Sequence, residues 1–262
     1  MSIADNLHRV EERIARAAQR AGRHADEITL VGVTKYVGAT DAAELVAAGC
    51  YNLGESRPQE LWKKHDELQR AGASPPPSSS FDPTTILWHL IGHLQRNKIT
   101  RTLPLVCLIH SVDSQRLFVA INEAVGLLPI ALGAGRGEDR PVNQPPPIPV
   151  LLEVNTSGES AKHGLSPDEV EPLLAHAPNY PHIAIRGLMT MAALEGGEAV
   201  AAKNFVSLRQ LRDRLKPNAP SCVKLNELSM GMSNDFDVAI QEGATIVRVG
   251  SALWEENVRT KM

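Results

Sequence analysis

The chain has 262 residues, of which 43% are hydrophobic and 22% are charged, and its formal net charge is -3 at pH 7. This near-neutral balance predicts no broad basic surface for nucleic acid. The length suits one large α/β domain or two small ones. Cys50, Cys107 and Cys222 are too scattered for a disulfide framework or a zinc site, which indicates a soluble protein of a reducing compartment.

The N-terminal segment predicts an amphipathic helix that ends near Gly22. Its apolar residues recur at helical spacing: Ile3, Leu7, Val10, Ile14, Ala17 and Ala21. Charged residues begin at Asp5, so the segment lacks the apolar core of a secretion signal. No uninterrupted apolar stretch is long enough to span a bilayer. We therefore expect a cytoplasmic protein that makes no membrane contact.

Beyond this helix, short apolar runs alternate with longer helical patterns. The runs begin near Ile28, Tyr51, Ile86, Leu105, Ile148, Ile183, Val223 and Ile246. Helices are predicted over residues 41–48, 58–70, 114–125, 167–176, 198–215 and 234–242. Eight strand–helix units in about 250 residues are typical of a (β/α)8 barrel, and a doubly wound open sheet is the competing topology. We favour an α/β (β/α)8 TIM barrel with an extra N-terminal helix.

Two Pro-rich segments interrupt the alternation, at about residues 72–83 and 133–149. Their composition predicts surface insertions rather than domain boundaries, so residues 1–262 are expected to form a single domain. A polyproline ligand for a partner domain is the alternative interpretation.

Lys35 directly follows the first apolar run, residues 28–34. A buried strand would deliver its amine to the rim of the sheet, where it could form a Schiff base. The alternative is a lysine that simply emerges into solvent.

Small residues predict an anion site in the loops after the last two strands. The segment 225–234 contains a Gly/Ser turn before a helix, and Gly250 and Ser251 end the eighth run. These loops are the usual phosphate position in such barrels. Alternatively, Ser233 only caps a helix and Gly250 only turns the chain. Together with Lys35, a phosphate site here could hold pyridoxal phosphate by its two ends.

Nine segments in order along the chain resemble the pyridoxal phosphate homeostasis protein family. They are residues 32–35, 52–56, 88–98, 110–114, 153–159, 162–164, 186–190, 228–233 and 247–251. The resemblance covers nearly the whole chain apart from the two Pro-rich segments. It implies a fold-type III barrel, similar to the N-terminal domain of alanine racemase, with pyridoxal 5'-phosphate held as a Schiff base on Lys35.

The resemblance also implies the other contacts of this cofactor. Ser229, Gly250 and Ser251 would hold the phosphate. Asn52 would lie near the cofactor ring, and Met189 would contact the pocket. The sequence departs from the family in the residues after Lys35, in the two insertions and after Leu253, which affects the rim and the tail.

Arg248 would face the pyridine nitrogen in this family, and a guanidinium cannot accept a proton from that ring. The ring would then be a weak electron sink. A structural ion pair inside the barrel is the alternative. Racemases of this fold type add a β domain, whereas only about ten residues follow Ser251 here. Strand alternation predicts that Tyr36 turns away from Lys35, so we assign it no acid/base role.

His89 and His93 are expected on one face of a strand end. Because no cysteine or carboxylate cluster is adjacent in the sequence, we expect hydrogen-bonded barrel histidines rather than metal ligands. His163 is expected on a rim loop. The family resemblance suggests that Lys162 could be a second aldehyde-accepting amine, although a solvated lysine is the main expectation.

The sequence therefore predicts a monomeric, non-catalytic carrier involved in intracellular pyridoxal phosphate homeostasis, with apo enzymes that use this cofactor as candidate partners. Two enzyme alternatives remain. One is a racemase-like enzyme that uses pyridoxal phosphate. The other is a class I aldolase-type barrel in which Lys35 condenses with a phosphorylated carbonyl substrate. A scaffold without cofactor is the third alternative.

Overall fold

A computed structural model of the chain describes residues 2–72, 86–128, 146–159, 163–193 and 195–254. Within these ranges eight parallel strands close into a barrel in sequence order. The strands are β1 (Thr29–Val33), β2 (Asn52–Glu55), β3 (Leu87–Leu90), β4 (Val106–Val112), β5 (Ile148–Glu153), β6 (Ile183–Met189), β7 (Glu227–Ser229) and β8 (Ile246–Val249). The predicted barrel is confirmed, and the open sheet is wrong.

Helices surround the barrel, and one follows each strand. They are α1 (Ile3–Arg20), α2 (Ala39–Ala47), α3 (Pro58–Gly72), α4 (Ile99–Thr102), α5 (Gln115–Gly126), α6 (Pro167–His176), α7 (Gly197–Leu215), α8 (Phe236–Gln241) and α9 (Ser251–Trp254). Because all strands run in one direction, the loops after them meet at one end, which we call the mouth.

The extra helix α1 packs on the outside of the barrel beside α8 and α9. Ser2 begins it with a capping box to Asp5, and its apolar stripe is buried. Each fully buried Leu, Ile or Val contributes roughly 1.5–3 kcal/mol relative to an exposed one. The Asn6 side-chain amide donates to the Leu253 carbonyl at 2.9 Å, which ties α1 to the last helix.

Strand β7 begins at Glu227 rather than near Val223, the start of the predicted run. The residues before it do reach β6: Lys224 N donates to Ile185 O at 2.9 Å. The strands then come very close, since a Cβ atom at Gly187 would lie 1.9 Å from the Glu227 carbonyl oxygen. Only glycine permits this approach.

The boundaries of both Pro-rich insertions need correction. Helix α3 extends to Gly72, and β5 already begins at Ile148, so the edges of the segments 72–83 and 133–149 are regular structure. Ile148 N donates to His182 O at 2.9 Å, and Pro149 pairs with Ala184. Most of the remainder lies outside the described residues. Over the ranges that the structure covers, no helix combines the length and the apolar character needed to cross a membrane.

Candidate functional site

Lys35 lies at the mouth, just after β1, and its side chain is exposed. Its ammonium lies 4.9 Å from the centroid of the Tyr36 ring, within the range of a cation–π interaction. Val37 N donates to Thr34 O at 3.1 Å, so the backbone turns here instead of continuing as a strand. The prediction that Tyr36 turns away from Lys35 is therefore wrong, because strand alternation ends at Val33.

A buried ion pair holds the backbone next to Lys35. Lys64 of α3 lies 2.5 Å from the Glu55 carboxylate, and their side chains are 5% and 0% exposed. The Lys64 amine also donates to Thr34 O at 2.6 Å, and the Thr34 hydroxyl donates to Glu55 at 3.2 Å. The pair therefore fixes the carbonyl that immediately precedes Lys35. Sequence reasoning missed it, although both charged residues interrupt otherwise apolar faces of predicted elements.

A chain of hydrogen bonds crosses the barrel interior from β2 to β8. Asn52 Oδ1 lies 3.0 Å from His89 Nε2, and His89 Nδ1 lies 2.9 Å from His110 Nε2. His110 Nδ1 lies 2.9 Å from Ser229 Oγ, which accepts a hydrogen bond from Arg248 at 2.5 Å. Since the Asn52 oxygen only accepts and Arg248 only donates, one direction satisfies every atom, with both histidines neutral. Each donor then points toward Asn52.

Burial enforces that neutral state. It lowers the pKa of His89 to about 4. It also lowers the pKa of His110 well below its ordinary value, and His89 and the charge of Arg248 lower it further. The expectation of a hydrogen-bonded barrel histidine at His89 is confirmed.

Arg248 carries a buried positive charge whose hydrogen-bond acceptors are neutral. Besides Ser229, it donates to the Thr190 carbonyl at 3.0 Å. Burial lowers its pKa to about 10, while Glu153 and Asp235 raise it, so the guanidinium remains charged at neutral pH. The structural ion-pair alternative is not supported, since neither of these hydrogen bonds goes to a carboxylate.

Glu153 ends β5 near this charge and was not predicted from the sequence. Its side chain is buried. Burial raises its pKa to about 7, the charge of Asp113 adds to the increase, and Arg248 and His93 oppose it. The carboxyl group is therefore partly protonated at neutral pH.

The loops after β7 and β8 meet at the mouth. Gly250 N and Ala252 N both donate to Ser233 Oγ, at 3.1 and 3.4 Å. Backbone N–H groups that converge on one oxygen are the arrangement that binds anionic oxygen atoms. Trp254 Nε1 donates to Val33 O at 2.8 Å, which anchors this loop region to the end of β1. Trp254, expected in a divergent tail, is therefore part of the core.

Comparisons with known proteins agree with this geometry. The family model described as alanine racemase, N-terminal domain, matches residues 6–257. A pyridoxal phosphate homeostasis protein of Aquifex aeolicus (strain VF5) is 37% identical over 257 residues, which are 98% of this chain and 99% of the relative. The chain belongs to the pyridoxal phosphate homeostasis protein family. The resemblance inferred from the nine motifs is confirmed.

Other members of this family match over similar lengths. The pyridoxal phosphate homeostasis protein of Escherichia coli (strain K12) is 32% identical over 252 residues, which cover 96% of this chain and 95% of that protein. The structure of PipY of Synechococcus elongatus PCC7942, solved with PLP bound, has a TM-score of 0.73 and 30% identity. It covers 96% of this chain and 99% of PipY.

The seven residues predicted to bind the cofactor fall at two levels of the barrel. Lys35, Gly250 and Ser251 lie at the mouth. The other four lie on strands: Asn52 opens β2, Met189 ends β6, Ser229 ends β7 and Arg248 lies within β8. Met189 is 1% exposed and packs in an interior apolar cluster.

The Ser229 hydroxyl is fully buried and bonded to His110 and Arg248, so its contact with a phosphate stays a prediction. Ser233, whose hydroxyl accepts from the Gly250 N–H group, is a further candidate; the sequence placed it in the predicted anion-binding turn, with a helix cap as the alternative, but not among the seven cofactor residues.

His93 does not share a strand face with His89, because β3 ends at Leu90. That prediction is wrong. His93 is exposed, and its Nδ1 atom lies 3.0 Å from Asp113 Oδ2. A carboxylate is therefore beside it, although the sequence separates the two residues by 20 positions. Lys162 lies outside the described residues.

Proposed function

We propose that this chain binds pyridoxal 5'-phosphate reversibly and acts in its homeostasis, with Lys35 as the covalent attachment point and little or no catalytic turnover. The observation that carries the proposal is the exposed Lys35 amine at the mouth of a barrel whose family includes PipY, solved with PLP bound. When bound, pyridoxal phosphate supplies an aldehyde that a primary amine can attack to form a covalent C=N bond.

The residues at the mouth fit such a group at its two ends. The amine of Lys35 is accessible, and the buried Lys64–Glu55 pair orients the backbone from which it projects. On the adjoining side of the barrel, Gly250 follows β8 and Ser251 begins α9, and the N–H groups of Gly250 and Ala252 already converge on the Ser233 hydroxyl oxygen. We assign the phosphate to this turn, with the Ser233 hydroxyl as an additional donor.

Arg248 supports a carrier over an enzyme. Its guanidinium is buried and charged, and it has no lone pair with which to accept a proton. If it faces the pyridine nitrogen, that nitrogen stays unprotonated and the ring withdraws electrons poorly. Lys35 would then hold the aldehyde and release it to other amines without turnover of amino acids. Membership of a family of homeostasis proteins agrees with this reading and disfavours the aldolase-type alternative.

One observation favours the racemase-like alternative as a second candidate. The Tyr36 ring lies beside the Lys35 ammonium, so a phenol is present where an acid/base group would be needed. A racemase-like enzyme would lose activity in Tyr36→Phe and would interconvert alanine enantiomers. A carrier would not interconvert alanine enantiomers, so Tyr36→Phe would have no such activity to remove.

The decisive experiment measures the chromophore. Purified protein incubated with pyridoxal phosphate is expected to show a visible absorption band, which borohydride reduction fixes as a mass increment on the peptide containing Lys35. Lys35→Ala should abolish the band. Lys63→Ala, which removes an exposed lysine of α3, should retain it.

Chiral chromatography of alanine incubated with the same sample should show no racemisation. A band that persists in Lys35→Ala, with the label on another lysine, would overturn the assignment of Lys35. Racemisation of alanine would contradict the carrier proposal and support the racemase-like enzyme.

We also propose that the protein acts as a monomer in the cytoplasm and passes the cofactor to apo enzymes that require it. An accessible rim lysine would permit such release. Sedimentation at micromolar concentration tests the monomer. Reactivation of an apo enzyme by the loaded protein, faster than by an equal concentration of free cofactor, tests transfer.

A further inference from the structure

Three side chains converge at the mouth beside strands β3 to β5. His93 lies in the loop after β3, Asp113 directly follows β4, and His163 lies in the loop after β5. Each offers one ligand atom, and these three atoms lie within 4.8 Å of one another. The residues are far apart in the sequence, so barrel closure alone brings them together.

The geometry within this group, which we call the rim triad, is already close to that of a coordination site. His93 Nδ1 lies 3.0 Å from Asp113 Oδ2. The imidazole rings of His93 and His163 stack with centroids 5.3 Å apart and planes inclined by 25°. In a tetrahedral site with bonds of about 2.0–2.1 Å, ligand atoms lie roughly 3.3 Å apart. Because no separation exceeds 4.8 Å, the widest one must shrink by at most about 1.5 Å, which exposed histidine side chains can supply by rotation.

Asp113 is the rigid member of the rim triad. Its side chain is 10% exposed, whereas that of His93 is 49% exposed. The Ser114 hydroxyl donates to the other carboxylate oxygen, Asp113 Oδ1, at 3.0 Å. Such an outer hydrogen bond orients a ligating carboxylate, and here it leaves the second oxygen, Oδ2, facing His93.

The surroundings leave room for a coordination position open to solvent. The buried carboxyl group of Glu153 is close enough to interact electrostatically with both Asp113 and His93. A cavity of about 510 Å³ borders His93, and Ser56, Gln95 and Lys98 also line it. Water or a small anionic ligand could reach an ion held by the rim triad through this cavity.

We infer that His93, Asp113 and His163 bind a first-row divalent transition-metal cation, with Zn²⁺ as the clearest example, and that the remaining coordination position faces solvent. Two imidazoles and one carboxylate suit Zn²⁺ and its neighbours, whereas Mg²⁺ and Ca²⁺ prefer oxygen ligands throughout. Three protein ligands with an open position are typical of exchangeable or reactive metal sites rather than closed structural ones. The site involves none of the residues that we assign to pyridoxal phosphate.

The test is a Zn²⁺ titration of the full chain by calorimetry at pH 7.5, with metal stoichiometry confirmed by mass spectrometry. We expect one Zn²⁺ per chain at micromolar affinity, with no competition from millimolar Mg²⁺. His163→Asn and Asp113→Asn should each lower the affinity at least ~10-fold. The matched control is His24→Gln, an exposed histidine that precedes β1 at the other end of the barrel and should leave the affinity unchanged.

Thermal unfolding of each variant verifies that it is folded. X-ray absorption at the zinc edge of the wild-type protein should show imidazole scattering from two histidines. Affinity retained within two-fold in both rim-triad variants, or an equal loss in His24→Gln, would overturn the proposal and identify the bound ion as adventitious. Retention of the pyridoxal phosphate band in the same variants separates this outcome from a failure of the cofactor proposal.

Discussion

Between β1, β2 and α3 the ammonium of Lys64 is paired with the Glu55 carboxylate at 2.5 Å, whereas inside the barrel the guanidinium of Arg248 is bonded to Ser229 and to the Thr190 carbonyl. Both charges are buried. The charge of Lys64 is neutralised by a carboxylate in direct contact. The charge of Arg248 is not, because both of its hydrogen-bond acceptors are neutral.

The difference indicates that the two buried charges have different roles. A neutralised pair adds no net field and serves to hold α3 against the end of β1. The charge of Arg248, whose acceptors are neutral, acts on its neighbours: it lowers the pKa of His110 inside the barrel and opposes the increase in that of Glu153 at the end of β5. Buried charges without a contacting counter-charge are costly, and groups with such perturbed pKa values cluster at functional sites.

The largest expected effect comes from breaking the neutralised pair. Lys64→Met leaves the Glu55 carboxylate buried without its counter-charge, and we expect the free energy of unfolding to fall by about 3–5 kcal/mol. Urea denaturation monitored by circular dichroism measures it. The double variant Lys64→Met/Glu55→Leu removes both charges and should recover most of the loss. A double variant no more stable than the single one would show that the pair is not the cause.

A smaller effect depends on pH and concerns Glu153. Its pKa rises from 4.5 to about 7 on folding, so the folded chain binds more protons between these values. The resulting stabilisation is complete below pH 4.5 and is lost as the pH rises through about 7. Glu153→Gln copies the protonated form, so its stability should match that of the parent below pH 4.5 and exceed it by about 3 kcal/mol at pH 8.

The measured quantity is the difference between the two unfolding free energies across the pH range. His89 and His110 have lowered pKa values and therefore reduce stability as the pH falls below 6.5, but they do so in both proteins and cancel in the difference. A difference that does not change with pH would contradict the raised pKa of Glu153.

The smallest effect distinguishes two serines. Ser229→Ala leaves Arg248 and His110 without their shared partner and should lower the unfolding free energy by about 1–2 kcal/mol, with little change in pyridoxal phosphate affinity. Ser233→Ala should weaken cofactor binding and leave the unfolding free energy within about 0.5 kcal/mol of the parent's. Thermal melts and cofactor titration of the two variants decide between them. Loss of binding in Ser229→Ala alone would assign the phosphate contact to Ser229 instead of Ser233.

Local patterns determined most of the secondary structure. The helix predicted over residues 167–176 is observed as α6, Pro167–His176, since Ser166 caps it and Pro167 occupies its first position. By contrast, the other five helices predicted over stated ranges, and five of the eight strands, shift an end by a residue or more, as β7 does at Glu227. Periodicity and caps act over a few residues and therefore fix which elements form and in what order. That order is enough to predict the barrel class and the position of Lys35 after the first strand.

Only the tertiary structure decided which side chains meet. The hydrogen-bond chain to Arg248 and the rim triad each join residues from different strand–helix units, and the Glu55–Lys64 pair joins the end of a strand to the buried face of the helix after it. Tyr36 beside Lys35 likewise depends on where β1 gives way to a turn. Such contacts depend on how far each strand is shifted in the closed barrel and where each one ends, and a linear pattern of apolar and polar residues does not specify these quantities.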